Sequence, residues 1–294
     1  MDESSLPDIQ RVDIDEATLR TFSSEDEFVG LSVDLLVEAD SYVCMAANLF
    51  SNPEMAWDRE HAVIGGHMVR FYKLLSGLLD QTCQRRRETS FVFARLAFEC
   101  IVNTLFLIEN NAPQLARSYV NHSMRYERRL RKRVRENIER RGGKVLDIER
   151  RMLASIERSA EHSGIDLDAP DERDKNWGGK NLFQKAESVG LGDAYLGAFA
   201  GPSHSVHGNW QDLLEYHLEP IGSGLYRPEF GWHRPRPQLL TTLATLSADA
   251  TEAYLDFIGG GGMDSVVEDL DDLRERIHRF VLLHDEFLTR TKAD

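Results

Sequence analysis

Residues 89–109, TSFVFARLAFECIVNTLFLIE, constrain the fold more than any other stretch. They are almost wholly apolar, and their pattern predicts a helix. A helix that is apolar on every side belongs in a protein interior. Yet Arg95, Glu99 and Asn103 follow one another at spacings of four, which lines them up on one helical face. Burying an arginine and a carboxylate is costly unless both are paired and hydrogen-bonded. Arginine placed before glutamate is the weaker orientation for a pair within one helix. Partners from elsewhere in the chain are therefore expected, and Ser203-His204-Ser205-Val206-His207-Gly208-Asn209-Trp210 is the expected source.

The same stretch is about as long as a membrane span, but three polar side chains near its middle make insertion costly. The acidic start of the chain lacks the basic residues and apolar run of a signal peptide. Cys44, Cys83 and Cys100 are odd in number and show no metal-ligand spacing, as suits a reducing compartment. The expectation is a soluble cytoplasmic protein with no membrane partner. The 294 residues, 41% of them hydrophobic, suffice for a large core. Net charge is −14, which argues against indiscriminate nucleic-acid binding, but it is unevenly spread: residues 1–40 carry twelve acids and two bases, while residues 125–144 carry ten bases and three acids.

Helical periodicity runs through nearly the whole chain, and the expected class is an all-α multi-helix bundle. Residues 1–22 read as an acidic flexible arm. Ser24 with Glu27 makes a capping box for the next helix, and Asn52-Pro53 reads as the start of another, weakened at Gly65-Gly66. Residues 23–258 are expected to form one helical body, with 219–237 as a loop or small hairpin lying over something. Gly259-Gly260-Gly261-Gly262 reads as a hinge before a C-terminal helix at 263–290. That helix spaces Val266, Leu270, Leu273, Ile277, Phe280, His284 and Phe287 as a heptad seam, for docking on the body or pairing with a second copy.

Two histidines near neutral pH suit proton transfer, and His204 and His207 share a face if their segment is helical. No third metal ligand is legible beside them, so no metal and no cofactor are expected. Ser203 and Ser205 lack the turn that exposes a nucleophilic serine. The basic helix 125–144 offers Arg128, Arg131, Lys132 and Arg135 either to solvent or to a nucleic-acid backbone. The stripe itself reads either as a cleft wall or as a structural ion pair that fixes helix register.

The run ARLAFECIVNTLFLI, the basic helix, Trp177-Gly178-Gly179-Lys180, Tyr195, Phe199, Ser203 and His207-Gly208 together resemble a bacterial all-helical family of unknown function. The arrangement is also similar to the HEPN superfamily, many of whose members are metal-independent ribonucleases of defence and toxin systems, usually dimeric. In that superfamily an arginine precedes the catalytic histidine with four to six residues between them. Here Ala200, Gly201 and Pro202 stand instead. The resemblance implies His207 as base, Arg95 as charge stabiliser, and Glu99, a buried acid, as orienting group. Asn103, Trp177, Lys180, Tyr195, Ser203 and His204 would line the site, and RNA, or a protein partner such as an antitoxin, would be bound. The competing expectation is a non-catalytic module that uses the same polar cleft to bind a ligand or a protein.

Overall fold

A computed structural model describes residues 6–49, 56–169, 176–259 and 263–291. The helices are α1 (Glu16–Leu19), α2 (Glu25–Ala47), α3 (Arg59–Cys83), α4 (Arg87–Glu109), α5 (Pro113–Arg140), α6 (Asp147–Ser163), α7 (Leu182–Ser188), α8 (Gly192–Tyr195), α9 (Gly201–His207), α10 (Trp210–Tyr216), α11 (Pro237–Phe257) and α12 (Asp264–Thr291). A π-helical turn, Leu196–Ala200, joins α8 to α9. The strands are β1 (Leu218–Gly222) and β2 (Leu225–Pro228), an antiparallel hairpin. The class is all-α, as expected. The body expected at 23–258 divides: by contact pattern the chain forms two units, Met1–Glu109 with Leu182–Asp294, and Asn110–Asn181.

In the first unit α2, α3, α4 and α11 pack as a ring, each against two of the others. Phe98, Ile101, Val102, Leu35, Leu36, Leu75 and Leu243 fill its interior. α2 starts at the expected Ser24–Glu27 capping box. Asp58 caps α3, accepting a hydrogen bond from the His61 backbone N–H at 2.9 Å, while the expected start at Asn52-Pro53 lies outside the described residues. Two glycines let large rings approach α3. A Cβ at Gly77 would meet the Phe93 ring at 2.4 Å, and one at Gly65 would meet Trp57 at 2.6 Å. α4 is long and apolar enough to cross a membrane by length and composition, but it sits in this ring as a core helix.

The α12 seam is buried along its length and docks on α2 and α11, so that face is already covered by this chain. Of the glycine run expected as its hinge, Gly260 to Gly262 lie outside the described residues. Phe28 of α2 contacts both Phe280 and Phe287 of α12. Beside them Arg276, its side chain 2% exposed, donates to both oxygens of Glu38, which is 1% exposed, at 2.6 and 2.8 Å. Arg276 also donates to the Val12 carbonyl at 2.7 Å, and the Val12 N–H donates to Glu38 at 2.8 Å. That clamp corrects the reading of residues 1–22 as a flexible arm: the described part is tied down at Val12 and by buried Leu19 of α1.

In the second unit α5 and α6 pack together, with Met124, Val134, Ile156 and Ala160 buried. Arg141 and Glu149 form an ion pair at the turn between them. α6 ends at Gly164, whose positive φ of 61° suits a left-handed cap.

Removing one partner of a buried ion pair leaves an uncompensated charge. Arg276→Met is expected to lower unfolding free energy by about 3–5 kcal/mol in urea titration, and Glu38→Leu combined with it should restore most of the loss. A single-variant loss under about 1 kcal/mol would show that the clamp does not hold the N-terminal segment.

Candidate functional site

The polar stripe on α4 is answered by two different elements. Arg95, its side chain 17% exposed, donates from Nε to Ser203 Oγ at 3.0 Å, and its guanidinium lies over the Phe199 ring at 4.4 Å. Ser203 Oγ in turn donates to the Phe199 carbonyl at 2.6 Å. Glu99 stands 4.0 Å from Arg95 and is 41% exposed, so the expected buried acid is a half-exposed one. Its second counter-charge is Lys185 of α7, a buried lysine lying 5.5 Å from the Phe106 ring. Asn103 is buried. Tyr195 packs its ring against Phe98, Phe183 and Phe199.

His207 does not join this group by any described contact. It is the exposed last residue of α9, before Gly208 in a left-handed cap. The contacts Phe98–Tyr195, Arg95–Phe199 and Arg95–Ser203 show that α4 and the helix through 192–207 run antiparallel. His207 therefore lies one turn beyond Ser203, on the side away from Glu99. His204 bonds Asn209 through Nδ1. Pro202 neither ends nor breaks the helix. It brings no N–H of its own, and the turn before it widens so that Gly201 N–H reaches the Leu196 carbonyl.

The remaining expected residues belong to the second unit. Trp177 meets Tyr119 edge-on at 5.2 Å, and the Gly178 N–H donates to Ser118 Oγ at 3.2 Å. Lys180 follows this short turn. Along α5, Arg131 holds both oxygens of Asp168, at 2.9 and 3.1 Å, and that hydrogen bonding holds the Asp168 carboxyl below its ordinary value. Arg128 donates to the Asp166 carbonyl at 3.0 Å. Lys132 and Arg135 are exposed. Two of the four residues expected to contact nucleic acid thus serve the unit's own loop.

A denser polar cluster lies at the start of α4, just ahead of the apolar stretch 89–109. Arg87 and Glu88 are both buried. Arg87 donates its N–H to the His233 carbonyl at 3.2 Å, reaches Glu215 at 3.4 Å, and lies over the rings of Phe91 and Tyr216 at 5.7 and 5.5 Å. Glu88 Oε1 accepts from the His233 backbone N–H at 3.0 Å and contacts His233 Nδ1 at 2.7 Å. Burial pushes the Tyr216 hydroxyl up to about 12. The segment after the hairpin thus lies over α4, as the loop reading of 219–237 anticipated. Among the described residues, Arg87 Nε and Glu88 Oε2 find no hydrogen-bond partner.

A cavity of about 440 Å³ opens here. Its walls include Thr82, Arg87, Ser90, Phe91, Ala198 and Leu239. Thr82 is 3% exposed, and its hydroxyl also lacks a partner among the described residues. The π-helical turn supplies Gly197 and Ala198 to the wall, small residues that leave the space open. Among the described residues no group of three or more His, Cys, Asp and Glu side chains is placed to hold a metal ion.

A family of unknown function (DUF5677) has a model that matches residues 61–223, more than half of the chain, and the chain belongs to that family. The match spans Thr82, Arg87, Phe91, Arg95, Ser203 and Tyr216, and stops before His233 and α11. No curated protein and no solved structure matches the chain.

Burial lowers the Lys185 ammonium from 10.5 to about 7, against the opposing pull of Glu99. The unfolded chain then binds more protons than the folded one between about 7 and 10.5, so stability rises with pH across that window. Urea midpoints of the wild type should climb relative to those of Lys185→Met over this range. Parallel curves would show that the ammonium is not desolvated.

Proposed function

We propose that this chain is a helical ligand-binding module that takes a small molecule with an anionic head in the cavity at the start of α4. The observation that carries the reading is that Thr82 and Arg87, both among its lining residues, each keep a buried donor, Oγ1 and Nε, without a partner among the described residues. A buried donor left unsatisfied costs about 1–3 kcal/mol, and an anion that accepts from both recovers that cost on binding. The cavity volume falls in the range of small-molecule sites. Phe91, Ala198 and Leu239 offer an apolar surface for the ligand body, and exposed Arg236 puts a second cation at the rim. Asp193, also on the lining, is exposed, so water screens its repulsion. Glu215 engages Arg87 through one long contact and does not satisfy Nε. A π-turn at the wall accords with the frequent placement of such turns at functional sites.

Calorimetry with octanoate and benzoate, against octanamide and benzamide, tests the reading. The carboxylates should bind saturably and the neutral amides should not. Thr82→Val removes an unsatisfied hydroxyl, so it should stabilise the fold by about 1 kcal/mol while weakening carboxylate binding about tenfold. Equal binding of acids and amides, or no effect of Thr82→Val on affinity, would refute the anion site.

A second reading is a HEPN-like, metal-independent endoribonuclease of bacterial defence or toxin type, acting on RNA and held in check by a protein partner. One observation favours it: Arg95 bonds Ser203, which shares a helical face with His207 one turn on. Cleavage of a mixed RNA pool with chelator present should then be lost in both His207→Ala and Arg95→Lys. An uncleaved pool with the wild type removes this reading and leaves the first untouched.

A further inference from the structure

A second cavity, about 230 Å³, shares Phe91 and Gly197 with the first. Its other walls include Pro202, His204, Asp212, Glu215 and Tyr216. Where the first cavity has cations, this one has two carboxylates. Asp212 is the informative residue. It is 4% exposed, deep enough that an ionised carboxylate requires compensation. Its backbone N–H donates to the Asn209 side chain at 3.0 Å, which fixes the residue at the first turn of α10. Asp212 Oδ2 stands 3.4 Å from His217 Nε2. Asp212 Oδ1 accepts no hydrogen bond among the described residues. The rings of Phe91 and Tyr216 flank the same space, with centroids 6.2 Å apart.

We propose that this second cavity is a subsite for a small organic cation, a primary ammonium or guanidinium group, with Asp212 as its counter-ion. A carboxylate with a free oxygen accepts a charge-assisted hydrogen bond from such a group, and aromatic faces attract the same charge. The cation that already lies over those rings, Arg87, reaches Glu215 and leaves Asp212 Oδ1 unmet. A hard metal ion is the poorer occupant, since calcium takes six to eight oxygen ligands. The cation subsite rests on Asp212 and the residues around it and does not depend on the anion site.

Titrating the intact chain with n-butylammonium chloride tests it, with 1-butanol and with sodium chloride at equal ionic strength as controls. The amine should bind saturably and the two controls should not. Asp212→Asn keeps the shape and removes the charge, and it should weaken the amine about tenfold. Glu215→Gln, at a half-exposed position where the amide still accepts from Arg87, should weaken it by less and serves if Asp212→Asn fails to fold. Octanoate binding measured in the same variants separates the two sites. Amine binding lost with octanoate binding kept assigns the cation to this cavity. Absence of saturable amine binding, or amine binding unchanged in Glu215→Gln and in a folded Asp212→Asn, would overturn the subsite whether or not octanoate binds.

Discussion

Charge buried on a core helix is the constraint around which this molecule is arranged. α4 sits in the ring of helices, and it carries Arg87, Glu88, Arg95, Glu99 and Asn103 among its apolar residues. Desolvated charges must find partners or unfold the helix that bears them. The partners arrive from the chain between α7 and α11: Lys185 for Glu99, Ser203 and the Phe199 ring for Arg95, Glu215 for Arg87, and His233 for Glu88. The layer of short helices, π-turn and the stretch at His233 over α4 is thus the polar counterpart of the apolar ring beneath it. Short elements suit that task, because each can turn one side chain toward α4 without a long apolar face of its own.

The pairing is uneven along the helix, and that unevenness locates the site. At the middle of α4 the arginine is stacked and hydrogen-bonded, and the glutamate has charges on both sides. Near the start of α4 the pairing is incomplete: Thr82, Arg87, Glu88 and Asp212 each keep a buried polar atom without a partner among the described residues. Thr82, Arg87 and Asp212 border cavities. Native interiors satisfy almost all such atoms, so exceptions on residues that border open volume are a physical reason to look for a ligand there. Opposite charges at adjoining cavities would give such a ligand a defined orientation.

Much of the scaffold could be read from the sequence because it rests on local rules. The apolar run at 89–109 became α4 with only Arg87 and Glu88 added, Ser24 and Glu27 capped α2 as their spacing implies, and the heptad seam of α12 is buried at all its positions. The stripe also announced that α4 needs partners. Which partner was not legible. Ser203 and His207 share a face, and only the register of two antiparallel helices decides that the hydroxyl meets Arg95 while the imidazole ends one turn away. The Arg87–Glu88 cluster escaped for a related reason. Its partners lie 128 and 145 residues away, and the stretch around His233 has no periodicity to mark it. The clamp on Val12 was hidden likewise, because an acidic opening segment reads as solvated until Arg276 is seen beneath it.

The most direct measurement is a high-resolution crystal structure of the protein grown with octanoate. The carboxylate should accept hydrogen bonds from both Arg87 Nε and Thr82 Oγ1, with its alkyl chain against Phe91 and Leu239. Ordered water on those two atoms, and octanoate absent or bound elsewhere, would contradict it.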